Sequence, residues 1–199
     1  MITKLSFLSL ILTLSLSAFS ESKMKLTNGT YNIDPDHTRV SFTIDHLVVS
    51  EVQGRFNEVK GSFTLNNDIS KSSVDVTIPI ASIDTGVQKR DDHLRSAEFF
   101  DAKKYPNMTF KSKKFSGSLD KFKVVGDLTI KGVTKEVTLD GKYRGTVKDS
   151  WGFERVGIKA TGKINRKDFN VKYNDMIEAG PAVGDEVTIN ILSEGTLKK

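Results

Sequence analysis

Residues 121–143 read KFKVVGDLTIKGVTKEVTLDGKY, and this stretch decides the fold class. In its first half every second residue is apolar or glycine: Phe122, Val124, Gly126, Leu128 and Ile130. After the Lys131-Gly132 pair the alternation resumes at Val137, Leu139, Gly141 and Tyr143. A period of two is typical of strands with one buried face, and the Lys-Gly pair is typical of a turn. The stretch therefore predicts two antiparallel strands.

The same period recurs along the chain. It is clearest in residues 40–44, 74–80, 156–164 and 187–191, and shorter examples are Phe63-Leu65 and Met108-Phe110. Short turn-forming segments such as Asn66-Asn67-Asp68 separate these runs. About eight amphipathic strands with short connections favour an antiparallel sandwich or barrel. We therefore predict an all-β domain.

Residues 82–106 interrupt the alternation. The run Thr85-Gly86-Val87-Gln88 has the spacing of a helix capping box. It predicts a helix of two to three turns through Arg95, with Val87 and Leu94 on one face. We expect this short helical insertion to cover an open end or flank of the barrel.

Residues 1–20 have the features of a secretory signal peptide. Lys4 precedes an apolar stretch over residues 5–16, and the small residues Ala18 and Ser20 follow it. The stretch is shorter than the roughly 20 apolar residues of a membrane span. We therefore expect cleavage near Ser20, a single domain over residues 21–199, and a protein that is periplasmic or secreted and does not span the membrane.

Composition and motifs exclude several functional classes. The net charge is +5 and the chain has no cysteine, which rules out disulfides, thiolate metal sites and a cysteine nucleophile. Like charges form no run long enough to suggest a nucleic-acid partner. Of the three histidines, His37 and His46 are spaced to point to opposite faces of a shared strand. We predict no metal site, no cofactor and no catalytic residues.

Several segments, in their order and spacing, resemble the YceI-like family of periplasmic, lipocalin-like proteins that bind polyisoprenoids or other long aliphatic lipids. The resemblance covers residues 31–195 and is carried by IDPDHTRVSF (33–42), SIDTG (82–86), RDDHL (90–94), FFD (99–101), GDLTIKGVT (126–134), INRKDF (164–169) and VGDEV (183–187). Asn170 stands where the pattern leads us to expect glycine, and asparagine also tolerates a left-handed backbone. The resemblance implies an eight-stranded antiparallel barrel with a helical insertion, an apolar interior that holds a lipid chain, and no catalytic residues.

The inward positions of the predicted strands suggest where a ligand would lie. By strand phase, and by the resemblance, the predicted ligand-binding residues are Phe42, Ile44, His46, Phe110, Gly126, Leu128, Ile158 and Ala160. Small residues among large ones favour a narrow apolar tunnel. The alternative is that each glycine marks a bulge or a sharp bend.

The polar end of such a ligand would lie at the mouth of the barrel. Candidate contacts are Arg90, His93 and Arg95 on the helical insertion. Alternatively, these residues form a structural network that ties the helix to the barrel. The leading hypothesis is a monomer or homodimer that binds a long-chain isoprenoid or fatty lipid. The others are a structural or stress-response interaction module with a filled barrel, and an unrecognised enzyme acting on an isoprenoid.

Overall fold

A computed structural model describes residues 25–177 and 180–198 of the chain. The predicted signal peptide, residues 1–20, lies outside the described residues. Within the described ranges the structure consists mostly of strands with one short helix. The strands are β1 Gly29–Ile33, β2 Arg39–His46, β3 Ser50–Phe56, β4 Lys60–Leu65, β5 Ser73–Pro79, β6 Ile83–Asp84, β7 Asn107–Ser118, β8 Lys121–Ile130, β9 Val133–Lys148, β10 Glu154–Asn165, β11 Met176–Ile177, β12 Gly180–Pro181 and β13 Val183–Leu197.

Eight of these strands close into an antiparallel barrel. Neighbours around the ring follow the order β1, β4, β5, β7, β8, β9, β10 and β13, and β1 pairs with β13 to close it. The remaining long strand, β2, pairs with the first part of β13, and β3 and β6 continue the sheet beyond it. The predicted all-β class and the eight-stranded antiparallel barrel are confirmed.

Strand β13 is long enough to pair with three neighbouring strands. It pairs with β10 along almost its whole length, with β2 between Val183 and Leu192, and with β1 between Gly195 and Leu197. The chain bends at residues 34–38, between β1 and β2. Beyond this bend, β2 and β3 form an antiparallel hairpin that pairs with the first part of β13.

The helical insertion lies where it was predicted, but it starts differently. Helix α1 spans Gln88–Arg95, and its N-cap residue Val87 makes no side-chain capping bond. The Thr85 backbone N–H and hydroxyl instead donate to the buried carboxylate of Asp91, at 2.9 and 2.6 Å. The expectation that one helix face carries both Val87 and Leu94 is wrong, because Val87 lies before the first helical residue and is 47% exposed, whereas Leu94 packs against the core.

A charged network fastens the seam where β10, β13 and the end of β1 meet. The Arg155 guanidinium donates to Asp34 at 2.5 Å, to Asp149 at 2.6 Å and to Glu194 at 2.7 Å. The bond from Arg155 lowers the pKa of Asp149 and raises that of the guanidinium. Burial alone would raise the pKa of Asp34, but the bonds from Arg155 and His37 lower it below its ordinary value.

An apolar cluster closes this end of the barrel. Tyr31 is fully buried with Phe63, Leu65 and Val156, and its ring stacks on Phe63 with centroids 5.8 Å apart. Its hydroxyl donates to Glu154 at 3.0 Å. Burial, together with this bond, raises the pKa of the Tyr31 phenol, so the group stays neutral. We call this the closed end of the barrel.

Candidate functional site

The barrel contains a cavity of about 460 Å³. This volume falls within the range of about 300–1,000 Å³ that is typical of small-molecule sites. Apolar side chains from most of the strands form its wall. Two exposed residues, Asp45 and Asp175, also line it, so the cavity reaches the surface beside the β2–β3 hairpin. We call this opening the mouth.

The cavity extends far down the barrel. Along β13 its lining runs from Val183 at the mouth to Ser193, a distance of roughly 30 Å of strand. The hydroxyl groups of Ser193 and Thr38 lie 3.1 Å apart at the lower end. Below them Phe63 belongs to both the cavity lining and the apolar cluster of the closed end. The shape is therefore a deep pocket with one open end.

The two sides of the cavity differ in how well they are packed. On β8 the inward residues Phe122, Val124 and Leu128 are buried. On β2 and β13 the inward residues are only half-buried, although they too face the interior, as Phe42 and Ile189 do. Apolar side chains that face inward without being covered leave contact area for a ligand. The free space therefore lies against β2 and β13.

Seven of the eight predicted interior residues line the cavity. They are Phe42, Ile44, His46, Phe110, Leu128, Ile158 and Ala160. The eighth, Gly126, does not appear in the lining, because the ring of Phe110 covers it. A Cβ atom at Gly126 would lie 2.6 Å from that ring. That these residues bind a ligand stays a prediction.

The other inward glycines follow the same rule. A Cβ atom at Gly141 would collide with the ring of Phe122, and one at Gly162 would collide with Leu139. These glycines therefore admit a large side chain from the neighbouring strand and do not add open space. Of the small inward residues expected among the large ones of a narrow tunnel, Ala160 lines the cavity, whereas the glycines do not. Nor do they all mark bulges, because the pairing of β10 with β13 continues without a shift through Gly162.

Two of the three predicted head-group residues reach the mouth. Arg90 and His93 line the cavity, whereas Arg95 does not. Arg95 instead donates to the carbonyl oxygens of Ala81 and Ile83, at 3.1 and 2.8 Å, and so ties the helix to the barrel. The contacts of Arg95 therefore match the alternative stated from the sequence, a structural network that ties the helix to the barrel.

Arg90 combines a structural bond with a free donor. Its Nε donates to the Thr85 hydroxyl at 2.8 Å, and its Nη2 donates to the Thr85 carbonyl at 2.9 Å. No described residue accepts a hydrogen bond from its Nη1. The imidazole of His46, across the mouth, likewise has no hydrogen-bond partner among the described residues. Both groups can therefore bind a polar head.

An aromatic cluster that the sequence did not predict forms part of the mouth. The rings of His93, Phe99 and Tyr173 lie 4.8–4.9 Å from one another. His93 Nε2 also bonds to Glu98. The Tyr173 hydroxyl donates to Asp175 at 2.8 Å, and this bond raises the pKa of the phenol. Tyr173 lies in a segment without alternation, so no periodic signal marked it as inward.

One group of side chains has the spacing of a metal site. The ligand atoms of Asp34, His37 and Glu194 lie within 4.8 Å of one another. Arg155 already donates to both Asp34 and Glu194, so the positive charge that a cation would supply is present. We interpret this group as part of the seam network.

The family model for the YceI-like domain matches residues 31–194. The chain belongs to the YceI-like family. Protein YceI from Escherichia coli O157:H7 is 40% identical over 192 residues, which cover 95% of this chain and 98% of that protein. The resemblance stated from the sequence is confirmed.

Solved structures with a similar fold are also found. BcnA from Burkholderia cenocepacia matches with a TM-score of 0.72 and 26% identity over 81% of this chain and 98% of its own. A polyisoprenoid binding domain from Saccharophagus degradans, implicated in plant cell wall breakdown, matches with a TM-score of 0.62 and 14% identity over 86% of this chain and 100% of its own. At that identity the second match shows the fold alone.

One segment of the YceI-like pattern holds the mouth together. Buried Arg166 donates to the carbonyl oxygens of Gly184, Val171 and Tyr173, at 2.7–2.9 Å. Burial lowers the pKa of its guanidinium. Asn170, just after this turn, has a φ of 58°, so the expected left-handed conformation is confirmed.

Across residues 25–177 and 180–198, no helix is both long and apolar enough to span a membrane.

Proposed function

We propose that this protein binds a long-chain lipid, a polyisoprenoid or another long aliphatic chain, inside the barrel, and carries or stores it unchanged. The observation that carries the proposal is the deep apolar cavity of about 460 Å³ with half-buried residues along β2 and β13. Each CH₂ group transferred from water into such a cavity contributes roughly 0.8 kcal/mol. A long chain therefore gains more from this shape than a compact ligand does.

The similarity to a polyisoprenoid binding domain supports this choice of ligand class. The cavity also favours ligand binding over the alternative of a barrel filled by its own side chains, because a filled barrel would cover Phe42 and Ile189. Extraction of gently purified protein followed by mass spectrometry tests the proposal. We expect one long-chain species at near-stoichiometric amount. Protein that contains no lipid and does not bind an added C20 isoprenoid alcohol would refute it.

The head group is the finer part of the proposal. Arg90 Nη1 and the His46 imidazole line the mouth and have no hydrogen-bond partner among the described residues, which supports their binding a phosphate or another polar head. Titration with an isoprenoid alcohol and with the matching pyrophosphate distinguishes the contribution of the lipid tail to the affinity from that of the head group. We expect Arg90→Gln to weaken only the pyrophosphate, by roughly tenfold, as for a lost charged hydrogen bond. Arg95→Gln is the matched control on the same helix and should change neither affinity.

We also propose that the protein does not catalyse a reaction on the lipid. Among the described cavity residues, neither His46 nor His93 bonds to a hydroxyl group. The Tyr173 hydroxyl donates to Asp175, but this bond raises the pKa of the phenol and so disfavours the phenolate that would act as a nucleophile. Incubation with the bound lipid, followed by mass spectrometry over hours, tests this part. A change in the mass of the lipid that depends on the protein would overturn it.

We further propose that the protein works in the cell envelope after removal of residues 1–20. The signal-like composition of that segment supports the proposal. The intact mass of protein from the envelope fraction should correspond to a chain that begins near Glu21. A mature species that retains residues 1–20 would contradict it.

A further inference from the structure

The tip of the β2–β3 hairpin is apolar and exposed. Its side chains Val48 and Val49 are 68% and 86% exposed. The tip, residues 46–50, contains no Asp, Glu, Lys or Arg. A hairpin turn in water normally carries polar or glycine residues. This tip therefore presents two aliphatic side chains to solvent without any charged neighbour in the turn.

The backbone of the tip is also unusual. Leu47 and Val48 are both left-handed, with φ values of 54° and 63°. This conformation suits Asn and Gly, and it is a genuine outlier for a β-branched residue such as Val48. Neither hydration nor backbone preference favours valine here. Strained residues of this kind concentrate at functional sites.

The tip lies beside the mouth of the cavity. His46, the first residue of the tip, lines the cavity, and the Leu47 N–H donates to the carbonyl of Ala182 at 2.9 Å. Ala182 also lines the cavity, and its N–H donates to the backbone carbonyl of Asp175 at 2.8 Å. Met176, which follows Asp175 in the chain, is 76% exposed. Exposed apolar side chains thus stand on both sides of one edge of the mouth.

We propose that Val48 and Val49 insert into the surface of a lipid bilayer and dock the mouth against it, so that a lipid chain passes between membrane and cavity without crossing water. The proposal rests on the lipid-binding function proposed above. In transfer through water, the lipid chain would be partly exposed between the membrane and the cavity. Each CH₂ group exposed in this way lowers the population of that intermediate roughly fourfold. A mouth pressed against the bilayer removes that barrier, and short uncharged aliphatic tips suit the acyl region better than a flat protein surface.

A second exposed apolar tip provides the competing orientation. Trp151 is 76% exposed in the β9–β10 loop, close to the Asp149–Arg155 bond of the closed end. A tryptophan at such a tip also suits a membrane interface. Docking through Trp151 would leave the mouth facing water, so the two tips predict opposite orientations on a vesicle.

The absence of cysteine allows a direct test of orientation. Val49→Cys and Trp151→Cys are each labelled with an environment-sensitive fluorophore and mixed with phosphatidylcholine vesicles. We expect a blue shift at position 49 and none at position 151. A shift at position 151 alone, at both positions or at neither would overturn the proposal. This measurement needs no bound ligand, so it is independent of the lipid-binding proposal.

A transfer experiment links docking to lipid exchange. Val48→Asn/Val49→Ser removes the apolar tip and keeps a residue at position 48 that accepts the left-handed backbone. Val147→Ser, at an exposed valine on β9, is the matched control. We expect the double variant to extract a fluorescent long-chain lipid from vesicles roughly tenfold more slowly, with Val147→Ser unchanged.

The equilibrium affinity for the same probe, added without vesicles, separates the two proposals. If the double variant binds the probe as the wild type does but extracts it more slowly, docking is supported. If its extraction rate is unchanged, docking is refuted and lipid binding stands. If the wild type does not bind the probe at all, the lipid-binding function fails, and the fluorophore shift still decides whether the tip enters the bilayer.

Discussion

The barrel wall formed by β7 and β8 differs from the wall formed by β2 and β13. On the first wall, the inward rings and aliphatic side chains are buried, as Phe122 and Leu128 are. On the second wall, equally apolar side chains such as Phe42 and Ile189 are only half-buried and line the cavity. The side chains of the first wall are fully packed and stabilise the fold. Those of the second wall leave apolar surface uncovered, where a ligand could make contact. Hydrophobicity alone does not distinguish these two uses.

The largest expected effect comes from two phenylalanines, one on each wall. Phe122 covers Gly141, and Phe42 covers Gly54, so both rings fill the space above a glycine. Because Phe122 is buried and Phe42 is not, Phe122→Ala should lower the free energy of unfolding by about 3–5 kcal/mol, and Phe42→Ala by less than about 2 kcal/mol. Urea denaturation of ligand-free protein measures both. Equal losses would show that the walls do not differ.

The second prediction concerns two small inward residues, Gly126 on β8 and Ala160 on β10. Gly126→Ala places a Cβ atom 2.6 Å from the Phe110 ring and should cost about 1–3 kcal/mol of stability through overpacking. Ala160→Phe adds a ring beside open space, so the protein should melt nearly as the wild type does and lose its copurifying lipid. Thermal melting and lipid content are measured on one preparation. An Ala160→Phe protein that retains its full lipid complement would contradict the location of the cavity.

The smallest expected effect is an acid dependence at the seam, away from the cavity. The pKa values of Asp149 and Asp34 are lowered, so the ion pairs stabilise the fold fully above the ordinary carboxyl range near pH 4. This stabilisation is lost as the pH falls through the lowered values. Arg155→Met should therefore be less stable at neutral pH and show a shallower additional loss below about pH 4. Parallel pH profiles for variant and wild type would contradict the seam network.

The same seam variant tests whether stability and ligand binding are separate. Neither Arg155 nor its carboxylate partners line the cavity. At neutral pH, Arg155→Met should therefore lose stability but keep its affinity for a long-chain lipid. Titration of folded protein with a fluorescent lipid measures this. A loss of affinity in folded Arg155→Met would mean that the seam shapes the cavity as well.

The sequence predicted which side chains face inward, because strand phase depends only on the position along a strand. It therefore placed Phe42, Ile158 and Ala160 in the cavity wall. It did not predict that Gly126 would be covered, because that depends on which residue of the adjacent strand lies beside it. Period two identifies faces but not partners. For the same reason, the three neighbours of β13 were not predictable.

The helix shows a similar limit. Its position followed from the loss of alternation. A capping box is only a local sequence pattern, and here the Thr85 backbone N–H and hydroxyl donate to the buried carboxylate of Asp91 instead of capping the helix. Tyr173 and Arg166 escaped prediction because they lie where the chain has no regular period. Their roles depend on contacts with distant segments, such as the bond from Arg166 to Gly184.

The position of β13 also sets an order of assembly. Strands β7 to β10 pair with their neighbours in sequence, so they can form as successive hairpins soon after synthesis. Strands β1 and β2 must wait, because their common partner lies nearly the whole described chain away. Until residues 183–197 arrive, the edges of β1, β2 and β10 stay open to pairing with other chains. We therefore expect the late-arriving strand to be the step at which folding competes with aggregation.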